Sequence, residues 1–371
     1  MTGIGQVTSN FLKELTLHPI ESVRFIVYCQ AMPVLDFDLP NNCEIKVLTP
    51  WWKRDDVLRQ WLWEWQLSRE VLRDGCDVFF SLYQSATMFS FSSRVRHVML
   101  VHDLIPKLFP EYLHKWSNKL HYQAILQSIK RVSHIITPSH TTKKDIEREL
   151  HIESHKVTVV NLGVAAPFFE SIDNVTLESR LKPYGIKPGY WYHGGGLEIR
   201  KNTEAVLRAY AMLMAEGFPG LPLLVISGKI HAETNPLATP VKRLIEELHL
   251  TDRVKLLGAV PQADLSLLYR GASVFLFPSS YEGFGLPVLE AFASGVPVIT
   301  TKTGALEELT QGEVALTVTT GLKLVDELVL QMKTVTQDTE QAQRMVRLAR
   351  TQAEAYTWQA FTQQVVHLLI Q

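Results

Sequence analysis

Short apolar runs alternate with amphipathic helical patterns along most of this 371-residue chain. In the first half, the apolar runs predict strands over residues 24–28, 44–47, 78–80, 97–100, 134–137 and 158–160. In the second half, they predict strands over residues 190–193, 223–227, 254–257, 274–278, 297–300 and 315–318. Strands that alternate with helices are typical of α/β domains built on parallel sheets. The pattern therefore predicts an α/β protein.

The helical patterns and one irregular segment divide the chain. Helices are predicted over residues 141–150, with Ser139 as N-cap, and over residues 203–216, 240–248 and 263–270. Residues 166–188 are polar and contain prolines, which predicts an irregular linker. We expect domains over residues 1–165 and 189–350, and a C-terminal helix over residues 351–371 that packs back on the first domain.

Composition narrows the class of protein. The chain is 46% hydrophobic and 20% charged, and its net charge of -1 gives no basic field for nucleic acid. Its three cysteines lack metal-ligand spacing and suit a reducing compartment. No apolar run approaches the ~20 residues that span a bilayer, and the N-terminus lacks signal-peptide features. We expect a cytoplasmic protein that is soluble or peripheral to the membrane.

Residues 277–301 form the most informative segment, because Glu282 and Glu290 stand there with seven residues between them. A glycine-bearing turn over residues 283–285 separates them, and Leu286 and Pro287 then open a short helix. The free N–H groups of such a helix start form a seat for phosphate. Carboxylates on either side can bind hydroxyl groups. The segment therefore predicts a site for a nucleotide diphosphate sugar.

This segment resembles the E-x7-E signature of retaining glycosyltransferases of family 4, which have the GT-B fold. Other parts of the chain resemble further segments of the family, in the same order along the sequence. They are a glycine loop at residues 2–5, a histidine-bearing loop at residues 101–106 and 109–111, the close of the first domain at residues 137–139 and 156–160, and a phosphate-binding segment at residues 198–202. The resemblance is closest to mannosyltransferase-like members that act on bacterial surface polysaccharides. It implies two Rossmann-like doubly wound parallel-sheet domains that face each other across a cleft, with the acceptor on the first and the nucleotide sugar on the second.

The resemblance also implies the site residues. The catalytic set is His102, Glu282, Arg200 and Lys201, and the donor-binding set is Gly3, Gly5, Arg200, Lys201, Glu282, Gly283, Phe284, Gly285, Leu286 and Glu290. Cations beside a leaving diphosphate stabilise the charge that develops as the glycosidic bond breaks. Many family members carry a further arginine where this chain has Gly195, so Arg200 is the candidate for its role.

Each of these residues also has a structural interpretation. Glu282 could be a solvated turn carboxylate, and Glu290, expected in the first helical turn, could complement the helix dipole. An adjacent Arg-Lys pair is commonly a solvated helix start. His102 could be a structural histidine paired with Asp103, and for His193 we favour a structural role.

We expect no metal ion and no cofactor. Asp36 and Asp38 match a D-x-D metal signature, but they open an irregular turn far from the other motifs and are interpreted as a plain loop. No other group of His, Cys, Asp and Glu has metal-ligand spacing.

Residues 51–73 hold five of the eight tryptophans. As a helix, the segment places Leu58, Trp61, Leu62, Trp65 and Leu72 on one stripe, which we interpret as core. Trp63 and Leu67 then fall on the opposite side, among Arg59, Arg69 and Arg73, where they could contact a membrane or a lipid-linked acceptor. A helix packed on both sides is the favoured alternative.

The chain begins at the glycine loop, whereas family members normally carry an apolar strand before it. Either that strand precedes the given sequence or the protein lacks it. We expect a first domain with a gap in its sheet, a disordered loop over residues 2–5 and lower stability than the second domain.

The leading functional hypothesis is a metal-independent enzyme that transfers a hexose, with mannose favoured, and retains its anomeric configuration. The donor would be GDP-mannose, and the acceptor a hydroxyl of a growing glycan or a lipid-linked acceptor in bacterial surface polysaccharide synthesis, with peripheral contact at the inner membrane face. The alternatives are a sugar-nucleotide epimerase of GT-B shape and a non-catalytic binding protein derived from a transferase.

Overall fold

The computed structural model describes residues 3–54, 56–89, 94–232 and 234–371. The chain divides into two compact units. The first contains Met1–Gly163 and Trp358–Gln371, and the second contains Val164–Thr357.

The first unit carries parallel strands in two separate sheets. Its strands are β1 (Phe25–Cys29), β2 (Cys43–Val47), β3 (Val78–Ser81), β4 (Arg96–Leu100), β5 (His134–Thr137) and β6 (Val157–Val159). Strands β1 and β2 pair with each other, and the other sheet has the order β3-β4-β5-β6. The helices before residue 164 are α1 (Gly3–Leu17), α2 (Val57–Arg73), α3 (Ile105–Leu108), α4 (Trp116–Arg131) and α5 (His140–Leu150).

The second unit is built on a parallel sheet covered by helices. Its strands are β7 (Tyr190–His193), β8 (Leu224–Ser227), β9 (Val254–Gly258), β10 (Ala272–Phe277), β11 (Val298–Thr301) and β12 (Leu316–Val318). Its helices are α6 (Asn174–Leu181), α7 (Thr203–Ala215), α8 (Val241–Glu247), α9 (Gln262–Gly271), α10 (Leu286–Ala293), α11 (Ala305–Leu309), α12 (Leu324–Gln337) and α13 (Thr339–Glu354). The last helix of the chain, α14 (Trp358–Ile370), belongs to the first unit.

The strand order of the second sheet fixes the place of a ligand site. Within the described residues the order is β12-β11-β10-β7-β8-β9, so the chain runs outward from β7 to β9 and then resumes at β10 on the other side of β7. Ligands of open parallel sheets bind beyond the carboxyl ends of the strands at such a reversal. The segments that follow β7 and β10 are therefore the expected site.

The apolar runs predict every strand of the described chain to within two residues, because strands buried on both faces are apolar throughout. Strands β7, β8 and β11 are buried along their whole length. The helix predicted over residues 141–150 is α5, and the Ser139 hydroxyl caps it by accepting from the Thr142 N–H at 3.0 Å.

Two expectations about irregular segments are wrong. The predicted linker over residues 166–188 contains α6, because Leu177 and Leu181 lie four residues apart and bury one face of a helix that contacts α9. The predicted glycine loop is helical from Gly3 onward, with Gly5 in the first turn of α1. Thr2, which was assigned to the same loop, lies outside the described residues.

Helices α1 and α14 pack together in the first unit. Phe11 of α1 and Phe361 of α14 are buried and make an edge-to-face contact with ring centroids 6.3 Å apart. Residues 351–371 thus hold the end of α13 and all of α14, rather than one helix.

Helix α2 presents the opposite face from the one predicted. Trp63, Leu67 and Val71 are its buried apolar residues, whereas Leu58 and Trp65 of the supposed core stripe are exposed. Arg69, predicted on the side of Trp63, instead lies over the ring of the exposed Trp65. Both faces of the helix are apolar, so its periodicity alone could not select the inner one. Among the described helices, none combines the length and the apolar character needed to cross a bilayer.

Candidate active site

A cluster of opposite charges lies where β7 and β10 end. The Glu282 Oε1 atom is 2.6 Å from the Lys201 Nζ atom and 2.7 Å from the Arg200 Nη1 atom. The Ser279 hydroxyl donates to the same oxygen. Lys201 and Glu282 are buried, so these charges are shielded from water.

All of the observed contacts of the Glu282 carboxylate converge on Oε1. Among the described residues, none donates a hydrogen bond to its Oε2 atom. One oxygen of this carboxylate therefore holds both cations.

Asn202 joins the two loops that carry this cluster. It follows the turn Ile199–Lys201 with a left-handed backbone (φ 53°), which asparagine tolerates better than most residues. Its side-chain amide donates to the Pro278 carbonyl at 2.7 Å and to the Ser280 hydroxyl at 2.9 Å. The loop after β7 is thus fixed to the loop after β10, and Arg200 and Lys201 reach Glu282.

The Glu282 carboxyl is ionised in this cluster. Burial disfavours its charged form, but the positive charges of Lys201 and Arg200 outweigh burial and hold its pKa below the ordinary value. Burial lowers the pKa of Lys201, and Glu282 acts in the opposite direction. The Lys201 ammonium also lies 4.7 Å from the centre of the Phe277 ring, a cation–π contact.

Thr301, the last residue of β11, and Thr303, just after it, support the Glu282 loop from the other side. The hydroxyls of Thr301 and Thr303 donate to the Ser279 carbonyl, the latter at 3.0 Å. The Ala305 N–H donates to the Glu282 carbonyl at 3.0 Å. The position of the Glu282 backbone is therefore determined by both neighbouring strands of the sheet.

The turn before α10 leaves N–H groups free for an anion. Gly285 precedes the helix with φ 110°, a conformation that favours glycine. The first bond onto this turn runs from the Val288 N–H to the Gly285 carbonyl at 2.9 Å. Among the described residues, none accepts from the N–H of Phe284, Gly285 or Leu286. These are the three groups predicted to bind the distal phosphate.

Gly195 cannot carry the arginine that many family members have at that place. Its φ is 85°, and a Cβ atom there would lie 2.8 Å from the Phe277 ring and 3.1 Å from Pro287. A side chain there would overlap these groups and strain the backbone, so the guanidinium that this loop carries is that of Arg200.

Glu290 is held in an aromatic layer beneath α10. It lies in the second turn of the helix, not in the first as predicted, because the helix begins at Leu286. The Tyr269 hydroxyl donates to its Oε2 atom at 3.1 Å. Burial raises the pKa of Glu290 to about 8, against a smaller opposite effect of the Tyr269 bond. This carboxyl group is therefore largely protonated at neutral pH.

His193 is bonded at both ring nitrogens. Its Nδ1 atom lies 2.8 Å from the Leu276 carbonyl oxygen, and its Nε2 atom lies 2.9 Å from the Thr203 hydroxyl. Burial lowers its pKa to about 4, so it is neutral at physiological pH. These contacts match the structural role favoured for it.

His102, Gly3 and Gly5 belong to the first unit. The His102 Nε2 atom lies 2.9 Å from the Leu82 carbonyl oxygen, and burial lowers the pKa of the ring. The Asp103 carboxylate accepts from the Ile105 N–H at 2.9 Å, and its negative charge acts against burial by raising the pKa of His102.

The D-x-D segment is an exposed loop. Asp36 and Asp38 lie exposed in the irregular connection between β1 and β2, as interpreted from the sequence. Within the part of the chain that the structure describes, no three His, Cys, Asp or Glu residues are grouped to hold a metal ion.

Sequence reasoning missed the residues that support the cluster. Ser279, Tyr269 and Asn202 all contact site residues or their loops, but the sequence assigned none of them a role of its own. Tyr269 lies 21 positions before Glu290, and no local pattern links them. Asn202 carried a usable signal, since an asparagine directly before a helix often has a special backbone conformation.

Comparison with known proteins identifies the family. Residues 1–166 match the profile described as Glycosyltransferase Family 4, and residues 187–352 match Glycosyl transferases group 1. The chain is 31% identical to O-antigen chain mannosyltransferase B of Escherichia coli over 58% of its own length and 55% of that protein. The chain spans about half the length of the first relatives that it matches.

Solved structures give the same fold. WaaG, a glycosyltransferase involved in lipopolysaccharide biosynthesis, matches with a TM-score of 0.76 at 18% identity, over 100% of this chain and 96% of WaaG. Anabaena Alr3699/HepE, solved in complex with UDP-glucose, matches with a TM-score of 0.77 at 18% identity and the same coverage. The chain belongs to glycosyltransferase family 4, has the GT-B fold and is similar to mannosyltransferases.

The raised pKa of Glu290 predicts a pH dependence of stability. A carboxyl group that holds its proton more tightly in the folded protein stabilises the fold below its ordinary pKa of 4.5, and this contribution is lost as the pH rises through about 8. We expect the Tm of the wild type, relative to Glu290→Gln, to fall by several degrees between about pH 5 and about pH 9. Parallel thermal melts of both proteins across this range measure the difference, and Glu246→Gln, an exposed site on α8, is the control. A pH-independent difference would contradict the buried protonated state.

Proposed function

We propose that this protein transfers a hexose, with mannose as the favoured sugar, from a nucleotide diphosphate sugar to a hydroxyl group and retains the anomeric configuration. The observation that carries the proposal is the buried cluster of Arg200, Lys201 and Glu282 beside the free N–H groups that precede α10. Cations and unpaired N–H groups at one place suit a diphosphate.

In this reaction the bond between the anomeric carbon and the diphosphate oxygen breaks, and a bond from the same carbon to the acceptor oxygen forms. The acceptor enters from the face that the diphosphate leaves, and its proton passes to the departing oxygen. Negative charge grows on the diphosphate as the first bond breaks. Arg200 and Lys201 stabilise that charge, and because Glu282 and Ser279 already fix them, little reorganisation is needed.

Glu282 has a second role toward the transferred sugar. Its Oε1 atom holds the cations, so its Oε2 atom is available to accept from a sugar hydroxyl. In the first unit, His102 contributes a further contact to the sugar or to the attacking hydroxyl, and Gly3 and Gly5 border the donor phosphates. These roles follow the family resemblance.

Glu290 binds the ribose of the nucleotide. Its side chain is buried, protonated and bonded to Tyr269, so it can donate one hydrogen bond to a ribose hydroxyl and accept another. The N–H groups of Phe284, Gly285 and Leu286 bind the distal phosphate.

The donor is proposed to be GDP-mannose, and the acceptor a growing glycan or a lipid-linked glycan of a bacterial surface polysaccharide. The name of the Escherichia coli relative, an O-antigen chain mannosyltransferase, supports the sugar and the acceptor class. A lipid-linked acceptor would bring the protein into peripheral contact with the inner face of the membrane.

Loss of one site contact tests the transfer site. We expect Lys201→Ala to lower donor turnover about 100-fold, because one charge-stabilising contact in such a site contributes ~3 kcal/mol to the barrier. We expect Glu290→Ala to lower it at least tenfold, because loss of the hydrogen bonds to the ribose costs about 1–3 kcal/mol. Lys242→Ala and Glu246→Ala, both exposed on α8, are the matched controls. Released nucleotide is measured with each variant, after thermal melts establish that it is folded. Near-normal turnover in both site variants would overturn the site assignment.

The binding of free nucleotides tests which base the sugar donor carries. Calorimetric titration of the wild type with GDP and UDP, side by side, should give the tighter dissociation constant for GDP. Turnover with GDP-mannose should exceed that with UDP-glucose under the same conditions. Tighter binding of UDP would contradict GDP-mannose as the donor and leave the transfer site itself untouched.

The effect of divalent metal ions on turnover distinguishes a site that uses Arg200 and Lys201 from one that uses a metal ion bound by the D-x-D segment. Because Arg200, Lys201 and a helix start face the diphosphate, transfer should persist after chelation of divalent ions and in Asp36→Ala. Turnover is measured with and without chelator, and then with added manganese. A large loss on chelation that manganese restores would favour the metal-dependent alternative.

A further inference from the structure

Helix α2 exposes an apolar stripe on the side that faces away from its core contacts. Leu58, Trp61, Trp65 and Leu72 are 46%, 37%, 60% and 47% exposed, and their spacing places them on one side of the helix with Arg69. We call these five residues the outer face of α2. Large side chains in such a contiguous stripe are unusual on a surface that contacts only water.

The inner side of α2 fixes this orientation. Trp63, Leu67 and Val71 are buried in a cluster with Phe79 of β3, so the helix cannot turn its outer face inward without exposing them. A buried pair also joins α2 to α4, since the His121 Nε2 atom lies 3.0 Å from the Glu64 carboxylate. The outer face is therefore held outward by the packing of the unit.

Positive charge accompanies the exposed tryptophans. The Arg69 guanidinium lies 4.7 Å from the centre of the Trp65 ring, and among the described residues no carboxylate pairs with it. Arg73, four residues further on, pairs with Glu70 at 2.8 Å. The outer face itself contains no acidic residue. It is thus apolar, aromatic and cationic at once.

The surroundings of α2 extend this character. Trp51, just before the helix, is 74% exposed. On α4, which contacts α2 through His121, Trp116 and Leu120 are exposed one turn apart, and exposed Lys115 and Lys119 stand beside them in sequence.

We propose that the outer face of α2 docks on the surface of a bilayer that contains anionic phospholipid. Tryptophan side chains bury their rings at the level of the lipid headgroups, leucines reach the acyl boundary, and arginine pairs with lipid phosphate. A protein partner explains this surface less well, because lysine is depleted from protein interfaces, whereas exposed Lys115 and Lys119 flank the exposed Trp116 of α4. The inference deepens the proposed function and rests on it for the lipid-linked acceptor, but the binding itself does not require transfer.

Vesicle flotation with the full chain tests the proposal. Neutral vesicles of phosphatidylcholine are compared with vesicles in which about a third of the lipid is phosphatidylglycerol, at low and at high salt. We expect the wild type to float with the anionic vesicles at least tenfold more than with the neutral ones, and to lose much of this preference in high salt. Failure of the wild type to float with anionic vesicles overturns the proposal.

Variants assign the binding to the outer face. Trp61→Gln/Trp65→Gln should reduce partition into anionic vesicles at least tenfold, and Arg69→Gln should reduce it about fivefold with no effect on neutral vesicles. Leu322→Gln/Leu330→Gln removes exposed leucines from the second unit and serves as the matched control. Thermal melts establish that each variant is folded. Equal partition of the tryptophan variant and the control would overturn the assignment.

Two further measurements separate competing outcomes. Light scattering without lipid detects self-association, and a dimer that Trp61→Gln/Trp65→Gln abolishes, without vesicle binding, would assign the face to a second copy of the chain and overturn the proposal. Turnover of donor with a water-soluble acceptor and no vesicles reports on the transfer site alone. Retained turnover in the tryptophan variant, together with lost flotation, supports docking as a separate property. If neither the wild type nor the variants turn over donor but the wild type floats with anionic vesicles, the proposed transfer reaction is wrong, and the proposed docking of the outer face of α2 on membranes is still supported.

Discussion

The contact of the Glu282 carboxylate with Lys201 and Arg200 organises the second unit around its candidate site. A buried charge that loses its partner costs several kcal/mol, so each of these residues requires the others to stay in place. The contact spans the loops after β7 and β10, which are neighbours in the sheet but more than 70 residues apart in sequence. Asn202 and Thr303 add hydrogen bonds at the same junction, so a polar network joins the loops at this edge of the sheet.

A second constraint acts one layer below. A layer of stacked or edge-to-face aromatic rings lies beneath α10 and consists of Tyr192, Tyr269, Phe275 and Phe277. Glu290 contacts this layer because its carboxyl group accepts a hydrogen bond from Tyr269. The low polarity there keeps the Glu290 proton in place, whereas Glu282 lies beside cations and is ionised. Two carboxyl groups eight positions apart thus have opposite charge states because their surroundings differ.

The two sides of α2 illustrate a different use of apolar residues. One side completes a core, and the other leaves tryptophans and Arg69 exposed at the surface. Such a helix cannot be explained by the stability of the unit alone, since the exposed side chains would be better replaced by polar ones. Contact with a lipid surface supplies a reason for keeping them.

The sequence by itself determined the strands, the α/β class and the identity of the charged residues in the site. Strands such as β7 and β11 are apolar on both faces, and the spacing of Glu282 and Glu290 with the Arg200-Lys201 pair forms a recognisable signature. Only the tertiary structure decided which side of α2 lies inside, since both sides are apolar and the choice depends on Phe79 and His121. It also decided that Tyr269 bonds Glu290, that Gly195 has no room for a side chain, and that residues 166–188 hold a helix. These features depend on contacts between segments distant in sequence, and a local pattern carries no information about the segment that will lie opposite.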